Sequence, residues 1–152
     1  MARIEESINI AAAPMTVFRL CHDFARRPEW DDRVVGIELI TPAPVRRGSL
    51  VRIEAGRSGQ FLFTWDAEYV DYQLPSGSTL KVIDAAPSSP FKSGAETWQF
   101  SKSADGTQFI LTWEYQPRGF IARILDAVGR RSATRRAIRR SLSRLKKLIE
   151  AG

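Results

Sequence analysis

Two stretches rich in aromatic residues, Glu96–Ser103 and Thr107–Gln116, meet at Asp105-Gly106 and run into one long basic helical pattern, Phe120–Ala151. Asp-Gly between two period-two stretches is a hairpin signal. The long helix must bury an apolar stripe, and the aromatic sheet beside it supplies the surface. This order predicts an α+β fold in which a curved antiparallel sheet wraps a C-terminal helix. A pocket between sheet and helix, and no catalytic motif, is where function is expected.

The preceding chain reads as more strands. In Arg3–Ile10, Ile4, Ile8 and Ile10 alternate with Glu5, Ser7 and Asn9, the period of a half-buried strand. Pro14 suits the first turn of a short helix, Met15–Cys21. Asp23 is placed to cap a second short helix, interrupted at Pro28. Strands are expected at Val34–Ile40, Leu50–Ala55, Gln60–Tyr72 and Thr79–Asp84. In the longest, Phe61, Phe63, Trp65, Ala67 and Tyr69 share a face, opposite Thr64, Asp66 and Glu68. Ala85–Gly94, with Pro87 and Pro90, is expected as an irregular loop flanking the pocket mouth.

A chain of 152 residues, 43% hydrophobic and 26% charged, has the size and composition of one soluble domain, 1–152. No apolar run approaches the ~20 residues that span a bilayer, and the N-terminal residues do not read as a secretory signal. The expected location is cytoplasmic. One cysteine, Cys21, and one histidine, His22, exclude a disulfide framework and a His/Cys metal site within the chain, so no metal or cofactor is expected. The net charge of +6 is uneven: from Arg118 onward eleven Lys/Arg face only Asp126 and Glu150. A solvated helix face is the plainer reading, and an anionic partner the sharper one. Specific nucleic-acid binding is not expected; contact with an anionic membrane would be weak and electrostatic. The oligomeric state is left open.

The order of elements comes with several local sequences: Ala-Pro-Met-Thr-Val-Phe (13–18), Arg-Pro-Glu-Trp-Asp (27–31), Phe-Thr-Trp-Asp-Ala-Glu-Tyr (63–69), Gly-Thr-Gln-Phe (106–109) and Leu-Lys-Lys-Leu-Ile-Glu (145–150). As an ordered set they resemble the polyketide cyclase/dehydrase and lipid-transport family of the START-like (helix-grip, Bet v 1-like, SRPBCC) superfamily. The resemblance covers essentially the whole chain. It implies a seven-stranded sheet gripping the C-terminal helix, with a hydrophobic cavity between them. It does not imply one activity, because relatives bind lipids, quinones, hormones or polyketides and only some are enzymes.

Candidate ligand-binding residues follow from the faces. Phe63, Trp65 and Tyr69 lie on the long strand, Trp98 and Phe100 on the sixth, Leu111 and Trp113 on the seventh. On the helix, Ile121, Ile124, Leu125 and Val128 form one apolar stripe, and Ile138, Leu142, Leu145 and Ile149 another. Between the stripes lie Arg131 and Arg135. One of them is expected at the cavity rim, facing a carboxylate of the protein or of a ligand; the competing reading is a kink at Gly129 that turns both outward. Glu96 shares the phase of Trp98 and Phe100. If inward it is the best general acid/base, but the start of a strand favours an exposed position. No G-x-S-x-G elbow or phosphate-cradling glycine loop is present. The favoured function is binding or transport of a small hydrophobic ligand. The alternatives are a cyclase or dehydratase using Glu96 or Tyr69, and an interaction module using the basic helix.

Overall fold

A computed structural model describes residues 1–151. Seven strands form one antiparallel sheet in the order β1-β7-β6-β5-β4-β3-β2. They are β1 (Ala2–Ile10), β2 (Val34–Leu39), β3 (Leu50–Arg57), β4 (Gln60–Gln73), β5 (Gly77–Ala85), β6 (Phe91–Ser103) and β7 (Gly106–Pro117). Between β1 and β2 lie α1 (Pro14–Cys21), a 3-10 turn (Phe24–Arg26) and α2 (Arg27–Trp30). After β7 the chain is helical throughout: α3 (Gly119–Leu125), a π-turn (Asp126–Arg130) and α4 (Arg131–Ala151). This is the helix-grip arrangement.

Period two governs the sheet. Along β7 the burial alternates so that Phe109, Leu111, Trp113 and Tyr115 are inside. Trp98 and Phe100 do the same on β6. They meet Ile138, Leu142 and Leu145 of α4 in one core with Ile4, Val17, Phe18 and Trp30. Truncating such a residue, Ile138→Ala for example, costs about 2–5 kcal/mol. Bulges between β3 and β4, and at two places between β4 and β5, add local bend and twist to the sheet.

Four local expectations need correction. Pro28 opens α2 instead of breaking a helix, since the first turn of a helix needs no N–H there. Asp23 makes no side-chain cap. The irregular loop is only residues 86–90, because Phe91 already pairs with Pro117 and starts β6 five residues before Glu96. Phe61 does not share the inner face of Phe63: a bulge at Ala55/Gly56 slips the register, and Phe61 is 52% exposed.

The basic helix is tied down on both flanks. Arg139 and Arg135 pair with Glu6 of β1, and Lys146 donates to the Asn9 carbonyl. On the other flank Arg140 and Arg144 reach the buried Asp32, at 2.8 and 3.3 Å. Burial alone would raise the Asp32 carboxyl, but the Arg140 hydrogen bond and the two guanidinium charges hold it below its ordinary value. Much of the helix's excess charge is therefore spent on seating it.

Candidate functional site

Between the sheet and α3 lies a cavity of about 970 Å³. Its apolar wall comes from β2, β3, β4, β6 and β7: Val34, Ile53, Ala55, Phe63, Trp65, Phe91 and Trp113. Trp65, Phe91 and Trp113 pack edge to face or tilted, with ring centroids 5.1–6.1 Å apart. Ile121 and Leu125 of α3 close the opposite side. Leu62 and Ile121 both line the cavity and are both more than half exposed, so it opens to solvent between the β3–β4 hairpin and α3.

Gly94 is required by this wall. A Cβ there would stand 2.6 Å from Cη2 of Trp113, and the ring would have to leave its place.

The inner end is ionic. Arg27 opens α2, Asp31 follows its last residue four positions on, and the two pair at 2.8 Å. Arg33, two residues on, forks Glu96 of β6, with Nη1 donating to Oε1 at 2.8 Å and Nη2 to Oε2 at 3.1 Å. It also donates to both Asp31 oxygens at 3.3 Å. The Trp98 indole N–H donates to Glu96 Oε2 at 2.7 Å, and the Arg27 guanidinium lies 4.6 Å over the Trp98 ring. Two cations and two carboxylates thus form a closed quartet, of which Arg27, Arg33 and Glu96 line the cavity. Burial would raise the Asp31 carboxyl, but Arg33, Arg27 and the Arg33 backbone N–H outweigh it and hold it well below the usual carboxylate range. Asp31 and Glu96 in turn lift the Arg33 guanidinium above its ordinary value against the cost of burial.

A second polar group sits where α3 gives way to the π-turn. Tyr115 donates its hydroxyl to the buried Asp126, which accepts from Arg131 Nη2 at 2.8 Å and Nε at 3.0 Å. Burial and then the Asp126 hydrogen bond push the Tyr115 hydroxyl up. Tyr115 and Asp126 both line the cavity. Toward the opening stand Arg57, Arg118 and Arg130. Arg118 spans the 86–90 loop through the carbonyls of Ala85, Ala86, Ser89 and Phe91. None of these three has a carboxylate partner among the described residues.

The sequence candidates divide three ways. Phe63, Trp65 and Trp113 line the cavity. Tyr69 and Trp98 border a separate void of about 10 Å³, and Phe100 and Leu111 are core residues beyond it. Ile124 and Val128 are exposed and stand outside the lining, because α3 runs along an opening and nothing packs on the outer half of its stripe. Arg131 does not itself line the cavity but pairs with Asp126, which does, and Arg135 reaches Glu6 on the outer flank. Glu96 is 6% exposed, not the exposed strand end expected, since β6 begins earlier. Arg27, Arg33 and the Tyr115–Asp126 pair were not foreseen as site residues. The i, i+4 spacing of Arg27 and Asp31 and the lone acid Asp126 in a basic stretch were the available signals.

His22 and Cys21 are not a dyad. The His22 ring stacks on Phe18, donates Nδ1–H to the Phe18 carbonyl and accepts at Nε2 from Ser78, both at 2.8 Å. Burial pushes the Cys21 thiol up, away from thiolate chemistry.

A seven-stranded antiparallel sheet curled around a C-terminal helix, with an apolar-walled cavity between them, defines a Bet v 1-like, START-like protein. The sequence agrees: a model of the family described as polyketide cyclase / dehydrase and lipid transport matches residues 1–150, and the chain belongs to that family. Among solved structures, a protein of Thermus thermophilus is similar with a TM-score of 0.76 at 20% identity, over 99% of this chain and 98% of that one. Ginseng major latex-like protein 151 from Panax ginseng is similar with a TM-score of 0.71 at 13% identity, over 95% and 94%. A Mesorhizobium loti protein reaches 0.73 at 12% identity, over 99% and 98%. At these identities the likeness is one of fold. No curated protein matches the sequence. Among the described residues no helix is long and apolar enough to cross a membrane.

Proposed function

We propose that this protein binds a small hydrophobic ligand, of lipid, polyketide or quinone type, in the cavity between its sheet and α3, and carries it without chemical change. The observation that carries this reading is a cavity of about 970 Å³ whose inner polar groups already satisfy one another. Both Glu96 oxygens are occupied by Arg33 and Trp98, and Asp126 by Tyr115 and Arg131. Neither carboxylate offers a free oxygen to a substrate, so the apolar wall is left as the recognising surface. The wall draws on five strands and α3, which supports reading the chain as one domain.

Titration with an apolar fluorescent probe tests the reading, because Trp65 and Trp113 lie in the wall and report contact. Ala122, half-buried on α3 and facing the cavity, gives the blocking variant. Ala122→Trp is expected to abolish probe binding while circular dichroism stays unchanged. Probe binding that persists undiminished in a folded Ala122→Trp protein refutes the cavity as the site.

One observation favours a cyclase or dehydratase instead. The Tyr115 hydroxyl lies on the cavity wall with its proton directed at Asp126, so a bound carbonyl compound that drew the Tyr115 proton to itself would have a general acid beside it. Ligand recovered unaltered after incubation supports carriage; a ligand converted by the native protein and not by Tyr115→Phe supports the enzyme.

A further inference from the structure

Large apolar side chains left in water are unevenly placed on this molecule. Of the eleven exposed among the described residues, seven fall in two short segments. Phe61 and Leu62 sit at the tip of the β3–β4 hairpin, about half exposed. The other five lie on the helical segment 119–130. Ile121 and Leu125 of this group turn toward the cavity, while Phe120, Ile124 and Val128, spaced four residues apart, form an outward stripe, with Phe120 73% and Val128 75% exposed. Leu62 and Ile121 line the same cavity from opposite sides. The apolar residues therefore ring its opening, and they exceed what a monomer leaves in water by chance.

The charge around this ring has one sign. Arg57 stands exposed on the hairpin, and Arg123 and Arg130 stand exposed along the helical segment; Arg118 is half-buried and already engaged with the 86–90 loop. The one acid in these segments, Asp126, is buried and already held by Tyr115 and Arg131. Apolar side chains flanked by arginines and free of exposed carboxylates match an anionic lipid interface: the apolar tips enter the acyl boundary and the guanidinium groups meet phosphates. A globular protein partner of ordinary surface would leave three cations to be matched one by one. A lipid surface matches them wherever they fall.

We propose that the hairpin tip and the segment 119–130 dock this protein on an anionic phospholipid bilayer with the cavity opening facing the lipid. The basic face of α4 is not the docking surface, since Arg135, Arg139, Arg140 and Arg144 are engaged with Glu6 and Asp32. The inference extends the ligand-carrying reading, but it stands on residues outside the cavity wall and is tested separately. Phe120 and Val128 are exposed and do not line the cavity, so Phe120→Ser with Val128→Ser leaves the fold and the wall intact.

Flotation with vesicles of phosphatidylcholine alone, or with a third phosphatidylglycerol, is the measurement. The native protein is expected to float with the anionic vesicles and to lose binding as salt rises. The double serine variant is expected to bind them at least roughly tenfold more weakly, and Arg123→Glu severalfold more weakly. Probe binding in solution stays unchanged in both. Absence of flotation, equal binding to neutral vesicles, or equal binding by native and serine variant overturns the proposal. So does a concentration-dependent dimer, seen by light scattering without vesicles and lost in the serine variant, which would assign the patch to a second copy. Loss of probe binding in the native protein would instead strike the ligand-carrying reading and leave the docking result standing.

Discussion

Arg33 and Glu96 are 63 residues apart in the chain and meet in a two-pronged ion pair at 2.8 and 3.1 Å. Arg33 follows α2 and Glu96 lies on β6, so the pair locks the short helices to the middle of the sheet. It also fixes the inner end of the cavity. Taking two charges out of water is favourable only while each keeps its partner.

Breaking the pair from one side is therefore expected to be worse than removing it. Arg33→Met alone should cost about 3–5 kcal/mol, since Glu96 is left buried with a poorer set of donors. Glu96→Leu alone should cost a similar amount. The double variant is expected to lose clearly less than the sum. Urea unfolding of all four proteins gives the coupling; additive losses would mean the pair contributes no mutual stabilisation.

Acid should weaken the fold well before carboxylates titrate. Burial is the main cause that lowers the His22 pKa from 6.5 to about 4, with Arg27 adding to it and the Phe18 carbonyl opposing. The unfolded chain takes up a proton at His22 near pH 6.5 and the folded one does not. Stability is thus full above that value and falls as pH drops from 6.5 toward 4, by on the order of 3 kcal/mol. Asp31, held low when folded, adds its own loss below about pH 4. Urea midpoints at pH 7.5 and 5.0 should differ, and the difference should shrink in His22→Gln. A flat profile between those values would contradict a buried neutral ring.

Gly94→Ala is expected to act on the ligand site through packing alone. The new methyl displaces the Trp113 indole, which lines the cavity. Overpacking of this kind costs about 1–3 kcal/mol. Tryptophan emission should shift and probe affinity fall, whereas Gly129→Ala, with open space around its Cβ and a helical backbone, should leave emission and affinity alone. Unchanged emission in Gly94→Ala would count against the tight contact.

An acidic ligand should be preferred over a neutral one of the same shape. Arg57 and Arg130 stand at the cavity opening without carboxylate partners among the described residues, while Arg131 and Arg135 already have theirs. In Arg57→Met with Arg130→Met, affinity for a fatty acid should drop by about 1 kcal/mol, the scale of an exposed charge pair, and affinity for the matching alcohol should hold. Arg135→Met should change neither. Equal losses for acid and alcohol would remove charge from the recognition.

Period two and the helical stripe carry to the level of single residues where an element is regular. Trp98, Phe100 and the four inward residues of β7 are buried as their alternation requires. Reading fails where a tertiary contact changes the local rule. A bulge opposite Ala55 turns Phe61 outward, and no period announces a bulge. The start of β6 is set by Phe91 pairing with Pro117, so Glu96 is buried although the strand signal begins with it. The single stripe expected of Ile121, Ile124, Leu125 and Val128 divides, with Ile121 and Leu125 toward the cavity and Ile124 and Val128 outward, since a helix lying along an opening has a partner on one side. Arg27 and Asp31 are readable as a helical pair; that Arg33 and Glu96 complete the group depends on where α2 and β6 come to rest.

The placement of β1 has a consequence for how the chain acquires its structure. Ala2 pairs with Tyr115 and Ile10 with Thr107, and the same strand is gripped by α4 through Glu6 and Asn9. During synthesis β1 emerges with neither neighbour yet made, and the hairpins β3–β4 and β6–β7 form from local contacts before it can be placed. Its edge and its isoleucines remain uncovered until β7 and α4 have left the ribosome. Closing so long a loop late makes folding slow for this size and leaves the waiting strand open to pairing with other nascent chains. The charged residues of β1, Arg3, Glu5 and Glu6, oppose such pairing during that interval.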